Sequence, residues 1–185
     1  MKPATLLSVL VALITVAYPA VVFFGHAVLD PRWLALGLVL LAVLRAWASQ
    51  QALWWLAAVG ALALAAGTAW GGGWLPLKLY PVWVNAVLLL VFGWSLWRGP
   101  PVIEQLARLS EPELPPRAVA YTRQVTQVWC GFFVLNGSVA AYTALACNEQ
   151  TWAIYNGVVA YVLMGLLFGI EWCVRQRVKA SVEHG

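Results

Sequence analysis

Charge is the scarcest property of this chain. Of its 185 residues, 10% are charged, whereas a soluble domain averages about 25%. Hydrophobic residues make up 63% and mean hydropathy is +0.80, which is more apolar surface than one soluble domain of this length could bury. The composition therefore excludes a soluble enzyme and a disordered chain, and it predicts an integral membrane protein.

Residues that hold metals or carry covalent chemistry are also few. The chain has two His and three Cys, and the sequence gives neither His a second ligand. The cysteines are odd in number and scattered along the sequence, which predicts free thiols and no disulfide framework. Phosphate-binding loops, dinucleotide fingerprints and serine-nucleophile motifs are missing. We therefore expect no catalytic residue, no metal and no cofactor, and a membrane-embedded enzyme ranks third among the functional hypotheses.

Six apolar stretches are long enough to cross a bilayer, which takes roughly 20 residues of helix. They predict one all-α, polytopic domain over residues 1–185, with spans at about residues 5–28, 33–49, 52–70, 81–97, 124–146 and 152–174. The first is interpreted as a retained helix because its apolar run is too long for a signal peptide. Arg45 interrupts the second, so whether that span crosses fully is left open.

The few basic residues set the orientation. In a six-span arrangement, nine of the 11 Lys and Arg residues lie on one side, which the positive-inside rule places in the cytoplasm. Both termini are then cytoplasmic. Five spans with a re-entrant stretch is the alternative. The net charge of +4 is explained by the basic residues that set the topology. It therefore does not indicate a nucleic-acid partner, which would need basic residues clustered on a soluble face.

One longer polar segment, residues 98–123, forms the cytoplasmic loop between the fourth and fifth spans. Val102, Ile103, Leu106 and Leu109 fall on one helical face, which predicts a short helix lying in the headgroup plane. Such a helix serves either as a connector that rests on lipid or as a docking surface for a cytoplasmic partner.

Polar and small residues within the later spans are candidates for helix packing or for a ligand groove. If the last two spans form a regular antiparallel hairpin, Asn136 lies level with Tyr161, and Tyr142 lies level with Tyr155 and Asn156. Gly165 and Gly169 form a small-xxx-small pair. The candidates are Asn85, Trp129, Asn136, Tyr142, Asn156, Tyr161, Gly165 and Gly169.

Glu171 is the one acid inside a predicted span, about one turn from its cytoplasmic end. Arg175 follows four residues later, in the favourable order for a helical ion pair. We expect an interfacial ion pair here, because a proton-coupling acid would more usually lie near the midplane.

The carboxyl-terminal half carries a distinctive pattern. It includes Tyr121-Thr122-Arg123, Trp129-Cys130-x-Phe132-Phe133-x-x-Asn136-Gly137, Tyr155-Asn156-Gly157 and Glu171-x-x-x-Arg175, with Tyr80-Pro81 and Gly99-Pro100-Pro101 before them. Over residues 80–175 this pattern resembles a family of small bacterial inner-membrane proteins. The resemblance implies a place beside acyl carrier proteins, acyltransferases and ketosynthases of aryl-polyene or related fatty-acyl pathways.

A looser similarity runs to the intracellular septation protein family. Leu114-Pro115, Arg123, Trp129-Cys130-Gly131-Phe132-Phe133 and Trp152 occupy the places of that family's loop, aromatic cluster and final span. Both resemblances imply the same architecture and an envelope context, and neither supplies a catalytic residue.

Two functional hypotheses follow. The first is an accessory inner-membrane protein of an envelope or acyl-lipid pathway, which recruits an acyl carrier protein or another acyl-pathway enzyme through the cytoplasmic loop. The second is a small carrier or binder of a lipid or polyene, with a groove among the last three spans. The lipid bilayer is a partner in both, and the sequence leaves the oligomeric state open.

Overall fold

The computed structural model describes residues 52–72 and 74–183, together with separate positions between 30 and 43. The first predicted span, residues 5–28, lies outside the described residues. Of the second, the described positions between Trp33 and Val43 are helical.

From residue 52 onward the described chain is a succession of helices without strands. These are α1 (Ala52–Gly67), α2 (Leu75–Lys78), α3 (Tyr80–Arg98), α4 (Val102–Arg108), α5 (Pro116–Ala146), α6 (Glu149–Ile154) and α7 (Ala160–Glu183). A kinked segment, Thr68–Gly72, follows α1 and has non-helical backbone angles at Trp70 and Gly71. A π-helical turn, Tyr155–Val159, joins α6 to α7.

Three of the described helical segments are long and apolar enough to cross a membrane: Tyr80–Arg98, Pro116–Ala146 and Glu149–Arg177. They coincide with the last three predicted spans, and the all-α, membrane-protein class is confirmed at that level. The third predicted span, residues 52–70, overlaps a shorter apolar helical segment, Ala58–Gly71. The second segment is longer than predicted, because α5 begins at Pro116 and therefore includes part of the expected loop.

Prolines and glycines set the helix boundaries. Pro81 and Pro116 lie in the first turns of α3 and α5, where the missing N–H has no helical acceptor to lose. Pro100 and Pro101 separate α3 from α4. After α1 the chain leaves helical geometry at Gly71, whose φ of 93° is a left-handed conformation that glycine adopts without a Cβ clash.

The bundle has two ends, named here for their connections. The loop end is where residues 99–115 join α3 to α5, and it contains α4. At the hairpin end, Asn148 joins α5 to α6 and caps α6 by accepting from the Thr151 backbone N–H at 2.8 Å.

The α3 and α5 helices pack closely and meet at Gly137. A Cβ added to Gly137 would lie 3.0 Å from the Asn85 Cβ, so the glycine is what lets the two backbones approach. Toward the loop end, aromatic side chains pack between α3 and α5. The Phe92 and Phe133 rings meet edge to face at 5.2 Å, and Phe133 and Trp129 are each 4% exposed.

At the hairpin end, α2 is fastened to α6. The Trp152 side chain is completely buried, and its indole N–H donates to the Lys78 carbonyl at 3.0 Å. The Lys78 ammonium also lies 3.4 Å from the Glu149 carboxylate. These contacts hold α2, which immediately precedes α3, against α6, and so position the polar groups described next.

Candidate functional site

The polar residues within the spans form a chain of hydrogen bonds centred on Asn136. The Asn136 amide donates to the Asn85 Oδ1 at 3.1 Å, and the Tyr155 hydroxyl donates to the Asn136 Oδ1 at 2.9 Å. Asn85 in turn donates to the Pro81 carbonyl at 2.8 Å. One buried amide therefore links α3, α5 and the π-helical turn, as expected where hydrocarbon offers no alternative partner.

Asn156 forms a second link nearer the hairpin end. Its amide donates to the Thr143 Oγ1 at 3.2 Å and to the Trp152 carbonyl at 2.9 Å. Thr143 donates its own hydrogen to the Ala140 carbonyl at 3.0 Å. Both side chains therefore have hydrogen-bond partners, and the Asn156–Thr143 bond joins the π-helical turn to α5.

The regular-hairpin register is therefore wrong in detail. It aligned Asn136 with Tyr161 and Asn156 with Tyr142, whereas Asn136 bonds to Tyr155 and Asn156 bonds to Thr143. For Tyr161 the physical reason is the π-helical turn Tyr155–Val159, since its wider turn shifts every later residue relative to a regular helix. For Asn156 the predicted partner is wrong by one residue, because Thr143 is buried whereas its neighbour Tyr142 is exposed. Tyr142 is largely exposed, and Tyr161 is partly buried.

Gly165 and Gly169 lie away from this network. A Cβ added to either would meet nothing within 4 Å, so neither makes a close helix contact within the part of the chain that the structure describes. Of the eight candidates, Asn85, Asn136 and Asn156 belong to the hydrogen-bonded links, and Trp129 belongs to a different feature.

That feature is a cavity of about 510 Å³ at the loop end, which we call the loop-end cavity. The amino-terminal part of α5 and the carboxyl-terminal part of α7 form one side of it, while α4 and the connection after it form the other. Its lining is mostly apolar, with Trp129 and Phe168 in it and their rings 4.5 Å apart. Such a volume lies within the range of sites that hold one small molecule.

An ion pair stands on the α7 wall of the loop-end cavity. The Arg175 Nε lies 2.9 Å from the Glu171 Oε1, and its Nη2 lies 2.6 Å from the Oε2, a two-pronged arrangement. The Tyr121 hydroxyl reaches across from α5 to donate to the Glu171 carbonyl at 3.1 Å and lies 3.4 Å from the Oε1. Glu171 is 9% exposed, so this carboxylate is held within protein.

The opposite wall is fastened by a second ion pair. The Arg108 Nη2 lies 2.7 Å from the Glu104 Oε1, and its Nη1 donates to the Pro112 carbonyl at 3.0 Å. The α4 helix begins where the Val102 N–H donates to the Ser95 Oγ of α3 at 3.1 Å. We call these contacts the α4 clasp, because they hold the connection over the cavity.

The predicted loop helix is present, but its four apolar residues do not share one environment. Ile103 packs against the buried cluster of Trp129 and Phe133 and lines the loop-end cavity. Leu109, in contrast, is 82% exposed. The helix therefore has an inner apolar side toward the protein and an outer one away from it.

The charges on the cavity walls are unequal. Two carboxylates line it, Glu111 on the connection and Glu171 on α7, against the one guanidinium of Arg175. Sequence spacing gave the Glu171–Arg175 proximity, but the cavity, and the part that Tyr121 plays in it, had no sequence signal. A tyrosine 50 residues from Glu171 is brought beside it only by the antiparallel course of α5 and α7.

In the described chain, no group of three His, Cys, Asp or Glu side chains is placed to hold a metal ion. Cys130, Cys147 and Cys173 are free thiols. Comparison with known proteins yields no matching family model, no matching curated protein and no matching solved structure.

Proposed function

We propose that this protein is a six-span bacterial inner-membrane protein that binds an amphipathic, lipid-like molecule in the loop-end cavity. The single observation that carries the proposal is the cavity itself, an apolar space of about 510 Å³ with charged groups on its walls. Mostly apolar pockets with a few placed polar groups are typical binding sites for small molecules.

The position of the cavity suits a ligand that arrives from the bilayer. At the same end of the bundle, where α3 ends, the Arg98 guanidinium lies over the rings of Trp94 and Trp97, at 5.3 Å and 5.1 Å from their centroids. Trp and Arg in this combination are typical of the membrane–water interface. An amphiphile at that depth would have its chain in hydrocarbon and its polar end level with the ion pair.

Leu106 supports an entry route beside α4. It lines the loop-end cavity, and 55% of it is nevertheless exposed. An apolar chain lying along the outer side of α4 would therefore be continuous with the interior. The resemblance of residues 80–175 to proteins of acyl and aryl-polyene pathways favours a lipid or polyene as the chain, and an accessory function in such a pathway.

The experiment is native mass spectrometry of the full-length protein released from membranes in mild detergent. We expect a copurifying amphiphile that is lost in Ala118→Trp, which fills the cavity. The matched control is Ala120→Trp, an exposed position on the same helix outside the lining. Ligand retention in Ala118→Trp, or loss on Gly165→Leu instead, would contradict binding in this cavity.

The second candidate function is recruitment of a soluble acyl-pathway enzyme such as an acyl carrier protein. The observation that favours it is the exposed apolar surface of α4 and of the residue that follows it, chiefly Leu106 and Leu109. A photocrosslinker placed at Leu109 should then capture a cytoplasmic protein in cells. Adducts with lipid alone would reject recruitment and leave α4 as a helix resting on the bilayer.

A further inference from the structure

We propose that the ligand of the loop-end cavity is a single-chain amphiphile whose polar end carries no negative charge and donates hydrogen bonds. Alkyl amines and alcohols have this chemistry, and fatty acids do not. The inference rests on the proposed function, because it names the class of molecule that the same cavity would hold.

The first step concerns the one cationic group of the lining. Both prongs of the Arg175 guanidinium that face Glu171 are engaged, at 2.9 Å and 2.6 Å. A carboxylate or phosphate could take the same two N–H groups of Arg175 only by displacing Glu171. It would also leave Glu171, at 9% exposure, as an uncompensated buried charge, which is strongly unfavourable.

The second step concerns the carboxylates. Glu171 and Glu111 approach the cavity from different walls, and each ionised carboxylate can only accept hydrogen bonds. An anionic ligand would meet repulsion from both. The repulsion from Glu171 is the stronger, because Glu171 is buried whereas Glu111 is exposed and screened by water. A carboxylate has about four acceptor positions, so Glu171 can accept from a ligand while it stays paired with Arg175.

The third step concerns the apolar end. Away from the ion pair the lining includes the packed rings of Trp129 and Phe168 and the side chain of Ile103. These surfaces offer contact to a hydrocarbon chain and no charge to neutralise. One chain with one donating end is therefore complementary to the cavity along its whole length.

The test is photolabelling of the full-length protein in phosphatidylcholine nanodiscs. The probes are dodecylamine, dodecanol and dodecanoate, each with a diazirine on the chain, and labelled peptides are mapped by mass spectrometry relative to a lipid-facing peptide of α3. We expect the amine and the alcohol to label Trp129- and Phe168-containing peptides about tenfold more than the carboxylate. Ala118→Trp should abolish that labelling and Ala120→Trp should preserve it.

Glu171→Gln tests the electrostatic argument directly. With the competing charge removed, Arg175 becomes available, and labelling by dodecanoate should rise about tenfold. Glu111→Gln should also raise labelling by dodecanoate, but by less. Because Glu111 is exposed, this variant should fold normally and so tests the argument even if Glu171→Gln misfolds. Equal labelling of the wild-type cavity by dodecanoate and dodecylamine would overturn the inference but leave the proposed function standing. Failure of all three probes to label the cavity would reject the proposed function itself.

Discussion

At the residue scale, Gly137 sets how closely α3 and α5 approach. We expect Gly137→Ala to destabilise the protein by about 1–3 kcal/mol, the usual cost of overpacking, because the new Cβ would lie 3.0 Å from the Asn85 Cβ. Gly131→Ala is the matched control on the same helix, since a Cβ there meets nothing within 4 Å.

The measurement for this pair is thermal unfolding in detergent. Gly131→Ala should be neutral or slightly stabilising, because alanine is favoured over glycine inside a helix by up to about 1 kcal/mol. Equal melting temperatures for the two variants would show that α3 and α5 do not depend on the close crossing.

Asn136 is the residue whose replacement tests the hydrogen-bonded chain. Membrane hydrogen bonds average about 0.6 kcal/mol, so Asn136→Ala should still fold and insert, with a loss of about 1 kcal/mol for its two partners, Asn85 and Tyr155. A double-mutant cycle with Tyr155→Phe isolates one bond and should give a coupling of about 0.6 kcal/mol. Strictly additive losses, or absence of Asn136→Ala from the membrane, would contradict this assignment.

Which residues bond to one another was only partly predictable at this scale. Asparagine in an apolar run marks Asn85, Asn136 and Asn156 as buried hydrogen-bonding residues whatever the register, because hydrocarbon offers them no solvent. The choice between Tyr155 and Tyr161 depends on the π-helical turn. That turn has one glycine, Gly157, but glycine also occurs in ordinary helices of membrane proteins, so the sequence does not predict the turn.

At the element scale, the α4 clasp determines whether the connection stays over the loop-end cavity. Glu104→Gln removes the negative charge that holds the Arg108 guanidinium at 2.7 Å. The same guanidinium donates to the Pro112 carbonyl, so that hydrogen bond should weaken as well. A partly exposed pair of this kind contributes up to about 1 kcal/mol. We therefore expect faster hydrogen exchange and faster proteolysis in residues 109–115.

The control for the clasp is Glu113→Gln, which removes one exposed carboxylate from the same connection without touching the pair. Exchange in α5 should be unchanged in both variants, because α5 is held separately by its contacts with α3. If residues 109–115 exchange equally fast in Glu104→Gln and in wild type, the clasp contributes nothing to closing the cavity.

Elements were easier to predict than the space between them. Apolar run length located the segments corresponding to α3, α5 and α7, and the periodicity of Val102, Ile103 and Leu106 located α4. The start of α5 was placed too late, because Arg117 and Arg123 suggested a loop, although Pro116 is a favourable first residue for a helix. The cavity depends on how α4 folds back on α5 and α7, a long-range arrangement that no local pattern encodes.

At the scale of the whole molecule, charge asymmetry and helix length bear on the same question, which is how the chain crosses the bilayer. The α5 helix has 31 residues and is thus about 46 Å long, more than the hydrocarbon core and about the thickness including headgroups. Its two ends, and with them the loop end and the hairpin end, should therefore lie on opposite sides of the membrane.

Single cysteines placed at the two ends test this orientation. In a background with Cys130, Cys147 and Cys173 replaced, Gln150→Cys at the hairpin end and Glu113→Cys at the loop end are both exposed. The excess of arginine at the loop end favours the cytoplasm. A membrane-impermeant maleimide added to intact spheroplasts should then label Gln150→Cys at once and Glu113→Cys only after permeabilisation. The reverse pattern would invert the topology and place the loop-end cavity, with its ion pair, on the outer face, where no cytoplasmic enzyme could reach α4.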